Sequence, residues 1–255
     1  MKTFSKISFI LLAFAVNFGC SSGGLDLKTG GDGNSASTAQ NGAESSVKRD
    51  VSGESAKNSP CANVYNPVQD GKIKNYKSSS GGGDVKFVQK YTEGESKFVE
   101  EFTVGNTIVK HFWECTDEGL IAANPGSMMD SKNMQLEPKH ISGVTLPKES
   151  EMKIGKTWST VYEATGKSQI GSVNSTVTIN NKIVSLDDEI KVPAGTFKAA
   201  KVETVINVNM KINGSSFPTP PIKSAVWFAP NVGMLKSGTT DGSYGNAVIE
   251  YAGDK

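Results

Sequence analysis

The chain has 255 residues, of which 21% are charged, and its formal net charge is +1. A balance this close to neutral excludes the strongly basic surface that nucleic-acid binding requires. Arg49 is the single arginine, although arginine is the residue that proteins favour for bidentate contacts to phosphates and bases. We therefore expect no nucleic-acid partner.

The first 19 residues have the pattern of a bacterial lipoprotein signal peptide. Lys2 and Lys6 form a positive start, residues 7–18 form an apolar stretch, and Gly19 directly precedes Cys20. The stretch is shorter than the ~20 apolar residues that a membrane-spanning helix needs. The Gly-Cys junction resembles a lipobox, whose cysteine receives a diacylglycerol and becomes the first residue of the mature protein. The alternative is an ordinary secretory signal in which Cys20 is incidental.

Residues 20–59 are predicted to be a lipidated cysteine followed by a disordered tether. The segment is rich in Ser, Gly, Asn, Asp and Lys and has almost no large apolar residue, so it cannot bury enough surface to offset its chain entropy. As a flexible coil it would span about 35 Å. Ser21 follows the cysteine where an aspartate would resemble an inner-membrane retention signal, which favours the outer membrane of the cell envelope.

The two remaining cysteines, Cys61 and Cys115, are predicted to form a disulfide. Their chain is expected to reach an oxidising compartment, where paired thiols oxidise. The alternative is two free thiols. A metal site is not expected, because two cysteines without suitably spaced histidines do not complete a tetrahedral shell.

Residues 60–255 are predicted to form one β-rich domain, in which short apolar runs alternate with turn residues. The strand-like runs, in chain order, cover residues 84–91, 97–104, 107–114, 158–165, 175–185, 189–192, 202–212, 222–229, 233–237 and 244–251. Gly105-Asn106 is a two-residue hairpin signal between two of them. Residues 122–151 contain three prolines and weak periodicity, which predicts a long connection. Asp187-Asp188-Glu189 is predicted to be a solvated turn rather than a calcium site, which needs six or more oxygen ligands.

The clearest strand follows Gly195, where apolar residues occupy every second position. Val202, Ile206, Val208 and Met210 share one face of it, so this face is predicted to be buried and the other solvated. With no convincing amphipathic helix in the sequence, we expect a curved, largely antiparallel sheet. Such a sheet forms an open or half barrel, possibly divided into two sub-sheets.

Four short stretches resemble a family of uncharacterised bacterial exported proteins and lipoproteins labelled TapB-like, which is related to a widespread family of unknown function. The stretches are Tyr65-Asn66-Pro67-Val68 with Gly71 and Tyr76; Leu146-Pro147 with Gly155 and Trp158; Val192 to Phe197; and Trp227 to Gly233. The family tends to have a tryptophan just before the tyrosine of its first stretch, where this chain has Lys74-Asn75-Tyr76. The resemblance implies a curved antiparallel sheet similar to the half-barrel of periplasmic lipoprotein carriers. It implies no particular activity.

Residues suited to acid–base catalysis are scarce in this sequence. His111 is predicted to lie on a strand face and His140 to face solvent in the long connection, and no G-x-S-x-G motif is present. We therefore expect no catalytic residue, cofactor or metal. A catalytic pair that only the fold brings together would escape this search.

These observations predict a non-catalytic, lipid-anchored envelope protein whose curved sheet binds an apolar ligand or a partner protein. The candidate ligand face carries Val202, Ile206, Val208 and Met210, with Trp158 and Trp227 nearby; the alternative is that these residues are plain core. A structural or assembly component of the envelope is a second reading, and an enzyme with an unrecognised site is a third.

Replacing Cys20 by Ala tests the anchor. Without the thiol no acyl group can be attached, so the variant should leave the membrane fraction and lose labelling by a fatty-acid analogue. Cys20→Ser should behave in the same way. Labelling that persists in both variants would contradict lipidation at this residue.

Overall fold

The computed structural model describes residues 61–79, 84–91, 96–104, 107–123, 134–240 and 248–254. The predicted signal peptide, Cys20 and the predicted tether lie outside these residues. Within the described part, the only helical element is a three-residue 3-10 turn, Glu149–Glu151. The prediction of a mainly β protein is confirmed. No helix in the described part is long and apolar enough to cross a membrane.

Fourteen strands are formed by the described residues. Their bounds are β1 Ile73–Ser78, β2 Asp84–Tyr91, β3 Lys97–Val104, β4 Thr107–Thr116, β5 Gly119–Ala122, β6 Met134–Ser142, β7 Leu146–Pro147, β8 Thr157–Ser168, β9 Gly171–Val192, β10 Gly195–Ile212, β11 Ser215–Phe217, β12 Ile222–Ala229, β13 Gly233–Thr239 and β14 Val248–Asp254.

All fourteen strands belong to one sheet, whose neighbouring strands pair antiparallel. The order is β6-β8-β9-β10-β12-β13-β14-β1-β2-β3-β4-β5-β7, and β11 pairs back on β10. The path has β6 at one end and β7 at the other, so the sheet is open, as predicted, and is not divided into two sub-sheets. The hairpin expected at residues 105–106 agrees with the register, because Val104 pairs with Thr107.

The longest strands, β9 and β10, form a hairpin near the β6 end of the sheet. Their tight turn is Pro193-Ala194, and Val192 pairs with Gly195 across it. Gly195 has φ 139°, which a residue with a Cβ adopts only under strain. Along β10 the alternation is as predicted: Val202, Ile206 and Met210 are buried, while their neighbours in sequence are more exposed.

The turn predicted at Asp187-Asp188-Glu189 is wrong, because all three residues lie inside the continuous strand β9. The partner of Asp188 on β10 is Ala199 and the partner of Ser185 is Lys201, so residues 186 and 187 face a single residue of β10. A β-bulge of this kind bends a strand without ending it. The polar cluster therefore marks a bend rather than the end of a strand.

The long connection predicted for residues 122–151 is also wrong in part, because β6 and β7 lie within it. Strand β6 has Leu136 as its clearly buried side chain and contains Pro138. It pairs only with β8 at one edge of the sheet, which is where a strand tolerates proline. His140 lies in β6, half-buried, with Nε2 2.7 Å from the Gly143 carbonyl oxygen; the expected solvent-facing loop position is not observed.

The curved sheet encloses a core between its own two halves. One buried cluster joins Phe87 and Phe102 of β2 and β3 to Val192 and Ala199 beside the β9-β10 turn. A second joins Phe98 of β3 to Ile183, Ala200 and Val202. Side chains from β1–β4 thus pack against side chains from β9–β10, and the sheet covers its own apolar face.

Residues 61–68, here called the cap segment, cross from one half of the sheet to the other. The predicted disulfide is present and joins Cys61 to Cys115 of β4, with their Cα atoms 5.0 Å apart. The Asn63 amide donates to the Pro147 carbonyl at 3.0 Å, and the Asn231 N–H donates to the Val64 carbonyl at 2.7 Å. The cap segment is therefore attached to β4, to β7 and to the β12-β13 turn.

Removing the disulfide should destabilise the domain. The variant Cys61→Ser/Cys115→Ser should lower the free energy of unfolding by about 4 kcal/mol, because the crosslink restricts the unfolded chain over a separation of 54 residues. Urea denaturation of the exported protein measures this change. The reduced native protein is the control and should match the double variant. Equal stability of the oxidised protein and the variant would contradict the expected contribution.

Candidate functional site

A cavity of about 130 Å³ lies between the two halves of the sheet. Its lining combines aromatic and aliphatic side chains with polar and charged ones. The lining residues used below are Asn66, Lys74, Gln89, Glu100, His111, Trp113, Trp158, Ile179, Asn181, Val202, Thr204, Val226 and Phe228. In another protein an apolar cavity of similar size, ~150 Å³, holds benzene. The space is therefore large enough for a small organic group.

One wall of the cavity carries a row of polar residues in register across three strands. Gln89 of β2 pairs with Glu100 of β3, and Glu100 pairs with His111 of β4. Side chains that are directly opposite in neighbouring strands lie on the same face of a sheet. In each strand the next residues on this face are apolar, such as Phe87 and Phe102. The first polar row, Gln89-Glu100-His111, therefore interrupts an otherwise apolar surface.

The facing wall carries a second polar row on β9, β10 and β12. Asn181 pairs with Thr204, and Thr204 pairs with Ser224. All three are buried, and the Thr204 hydroxyl donates to Asn181 Oδ1 at 2.7 Å. Asn181 and Thr204 line the cavity. Polar groups thus meet the cavity from both halves of the sheet.

Two opposite charges also line the cavity. Burial lowers the pKa of the Lys74 ammonium, an effect that the Glu100 and Asp254 carboxylates oppose. Burial raises the pKa of Glu100, and Lys74 opposes this change. Lys74 Nζ donates to the Val232 carbonyl at 2.9 Å, and the salt bridges within the described residues do not include a Lys74–Glu100 pair. Lys74 and Glu100 therefore influence each other's pKa without forming a direct ion pair.

The first polar row is connected to the cap segment. Gln89 Nε2 donates to Asn66 Oδ1 and to Glu100 Oε1, at 3.2 Å in each case. A side-chain hydrogen bond from Trp113 also lowers the pKa of Glu100, although its geometry is looser than that of a standard hydrogen bond. Asn66 therefore fixes the position of the Gln89 amide, and the cap segment forms part of the cavity wall.

His111 is buried and packs edge-on against Phe102, with ring centroids 4.7 Å apart. Burial lowers its pKa to about 4, because the charged imidazolium is poorly solvated there. The prediction that His111 lies on a strand face is confirmed. Its side chain faces the cavity as a neutral imidazole at neutral pH.

The residues of the predicted ligand face are separated by the fold. Val202 and Trp158 line the cavity. Ile206 belongs to one neighbouring core cluster and Met210 to another, and the partly buried Val208 packs against both. Trp227 pairs with Lys201, one position along from the cavity-lining pair Val202–Val226. It packs, partly buried, against the core cluster that contains Phe87 and Ala199, and it does not line the cavity. Its Nε1 donates to Asp188 Oδ2 at 2.8 Å.

The sequence analysis did not identify Lys74, Gln89 or Glu100. The sequence does contain a signal for two of them, because a polar residue interrupts a series of apolar residues at every second position. Gln89 follows Val85 and Phe87 in this way, and Glu100 stands between Phe98 and Phe102. Lys74 also lies in the stretch Lys74-Asn75-Tyr76, where the sequence departs from the pattern of the family that it resembles. The described residues contain no group of three His, Cys, Asp or Glu side chains that could hold a metal ion.

Comparisons with known proteins identify a family and similar solved structures. The DUF3108-like family model matches residues 63–245. A "putative lipoprotein" from Parabacteroides distasonis ATCC 8503 has a similar structure, with 14% identity and a TM-score of 0.49; the match covers 76% of this chain and 99% of that one. A "putative exported protein with YmcC-like fold" from Bacteroides fragilis NCTC 9343 shares 13% identity with a TM-score of 0.48 and the same coverage. No curated protein matches the sequence.

The low pKa of His111 predicts a specific loss of stability in acid. The native state favours the neutral imidazole, so His111 stabilises the protein fully above pH 6.5 and ceases to do so as the pH falls to about 4. The loss should be roughly 3 kcal/mol. Urea denaturation between pH 7 and pH 4 should show this component in the native protein but not in His111→Gln. His140→Gln is the control and should retain it; an unchanged pH dependence in His111→Gln would refute the assignment.

Proposed function

This chain belongs to the DUF3108-like family, and from that premise we propose that it is a lipid-anchored protein of the bacterial cell envelope that binds a ligand in its cavity. The cavity is the main support for the proposal that this protein binds a ligand. It is lined by residues of both halves of the sheet and by Asn66 of the cap segment, and the lining combines apolar side chains with convergent polar groups. That combination is typical of sites that bind small molecules.

The proposed location is supported by the beginning of the chain and by the disulfide. The pattern of residues 1–20 favours export and lipidation at Cys20. The Cys61–Cys115 disulfide suits an oxidising compartment such as the periplasm. Ser21 after the cysteine favours the outer membrane over the inner one. The membrane is thus the proposed partner of the lipid anchor, and the folded domain is the proposed partner of the ligand.

We propose binding without catalysis, because the polar groups of the cavity are held in structural roles. The Thr160 hydroxyl donates to the Val144 carbonyl at 2.6 Å and the Thr204 hydroxyl donates to Asn181, so neither is activated by a base. The pKa of His111, about 4, is far from the value near 7 that suits a general base at neutral pH.

An assembly component of the envelope is the second candidate. Strand β4 exposes two large apolar side chains on its outer face, Ile108 at 62% and Phe112 at 45%. Exposed apolar side chains on one face of a strand can contribute to a contact surface. Crosslinking in intact cells followed by pull-down tests this candidate: Ile108→Lys/Phe112→Lys should lose a partner that the native protein captures. An unchanged set of crosslinked partners would count against this surface.

Filling the cavity tests ligand binding. The Cys20→Ala chain, exported and purified without detergent, should release a bound small molecule on solvent extraction and mass spectrometry. Val202→Phe in that background should abolish the bound molecule, because the larger ring occupies the cavity. Val205→Phe is the matched control: Val205 lies on the same strand and pairs with Lys223 on the opposite face, so its ligand content should be unchanged. Equal ligand content in both variants, or none in the parent chain, would contradict the proposal.

A further inference from the structure

Acidic residues are absent from two long stretches that contain much of β8–β12. Residues 164–186 and 204–240 have no Asp or Glu, although the net charge of the whole chain is only +1. They carry five lysines: Lys167, Lys182, Lys211, Lys223 and Lys236. Lys236 pairs with Glu250, whereas Lys167 and Lys211 are exposed and make no ion pair within the described residues. This part of the sheet therefore presents positive charge to solvent.

The turn between β8 and β9 displays a large apolar side chain beside these lysines. Ile170 lies in this turn and is 61% exposed. Its N–H donates to the Ser168 hydroxyl at 3.3 Å, and that hydroxyl donates to the Gly171 carbonyl at 3.1 Å. The acidic residues of β6 and β8, Glu137 and Glu163, lie farther from the turn than Lys167 does. Small and polar residues are usual in turns, so an isoleucine between lysines is an unusual choice here.

The neighbouring β10-β11 turn holds the Ile170 turn in place. It consists of Asn213 and Gly214, whose φ values of 49° and 80° suit a two-residue hairpin turn. Asn213 Nδ2 donates to the Ile170 carbonyl at 2.8 Å, and its Oδ1 accepts from the Ser172 N–H at 2.9 Å. A Cβ at Gly171 would meet this same amide group, so the close approach needs glycine. The two turns together, here called the hairpin tip, hold Ile170 out in solvent.

The predicted lipid anchor allows the hairpin tip to reach a membrane. The folded domain begins at Cys61, in the core cluster that contains Ile183. From Ile183 to Gly171 at the tip, β9 extends roughly 40 Å at ~3.3 Å per residue. The predicted tether between Cys20 and the domain would span about 35 Å as a flexible coil. The tether is therefore long enough for the domain to turn its hairpin tip toward the bilayer that holds Cys20.

We propose that the hairpin tip is a second contact between this protein and the membrane, and that it favours anionic phospholipids. Ile170 enters the interface between head groups and acyl chains, while Lys167 and Lys211 bind head-group phosphates. Because the anchor keeps the tip close to the bilayer, a weak contact is sufficient. This inference rests on the proposed lipid anchor and adds an orientation of the folded domain, with the β8-β9 hairpin pointing toward the membrane.

Ile154 provides a matched comparison within the same chain. It is 66% exposed in the turn before β8, so its apolar surface is as available as that of Ile170. Its surroundings differ, because Glu149 and Glu151 lie nearby and Glu151 forms an ion pair with Lys156 at 2.7 Å. A surface of mixed charge gains less from anionic lipids. We therefore expect the turn at Ile154 to stay in solvent.

Quenching of a fluorophore by nitroxide-labelled lipids tests the contact. The mature lipidated chain is reconstituted into vesicles of phosphatidylglycerol and phosphatidylcholine, with a bimane attached at Gln169→Cys or, as the control, at Lys153→Cys. The native disulfide leaves the introduced cysteine as the thiol that reacts. The label at position 169 should be quenched strongly and the label at position 153 weakly. Equal quenching of the two labels would overturn the proposal.

Variants in the Gln169→Cys background identify the groups that make the contact. Ile170→Asn should abolish most of the quenching, and Lys167→Gln or Lys211→Gln should each lower the ratio of docked to undocked domains about fivefold. Ile154→Asn is the matched control and should leave the quenching unchanged. Vesicles of phosphatidylcholine alone should quench much less. Unchanged quenching in Ile170→Asn would overturn the role of the tip, and unchanged quenching in phosphatidylcholine would overturn the preference for anionic lipids.

Flotation of the same samples separates this inference from the proposed anchor. A mature chain that floats with the vesicles but shows no quenching at position 169 would overturn the second contact and leave the anchor intact. A mature chain that does not float with the vesicles would overturn the anchor and this inference with it.

Discussion

The whole structure depends on one constraint, which is that the sheet has to bury its apolar face against itself. The described residues include no helix beyond one 3-10 turn, so another part of the same sheet must supply the cover. Curvature achieves this, and the bulge opposite Ala200 helps to bend the long β9-β10 hairpin. The inward side chains of β1–β4 consequently meet those of β9 and β10.

The need to bury the inner face of the sheet also explains why the first polar row is buried. A side chain at an inward position of β2, β3 or β4 is enclosed whatever its chemistry, and Gln89, Glu100 and His111 occupy three such positions in register. A slip of one residue in pairing would turn them outward and place charged neighbours such as Glu101 and Lys110 inside. Buried polar groups lower stability unless they are hydrogen-bonded, and Gln89 meets this requirement by donating to Glu100 and to Asn66.

Much of the fold could be predicted from local alternation, and the site could not. The pattern around Val202, Ile206 and Met210 is short-range and identified a buried face correctly. Strand β6 could not be predicted, because an edge strand needs few apolar residues. The bulge in β9 resembles a turn in the sequence, because polar residues are common in bulges and in turns alike. The cavity joins β2–β4 with β8–β10, which are far apart in sequence. Their meeting depends on curvature, which periodicity does not encode.

The cap segment connects the Cys61–Cys115 disulfide to the wall of the cavity. Asn66 holds the Gln89 amide in place, and the segment that carries Asn66 begins at the disulfide-bonded Cys61. Without the disulfide, the polar attachments that remain are chiefly those of Asn63, Val64 and Asn66, each worth about 1 kcal/mol. Oxidation adds a bond that these cannot replace, so the wall of the cavity is most firmly held where a disulfide can form. A cavity wall completed by oxidation agrees with the proposal that the protein is exported before it binds a ligand.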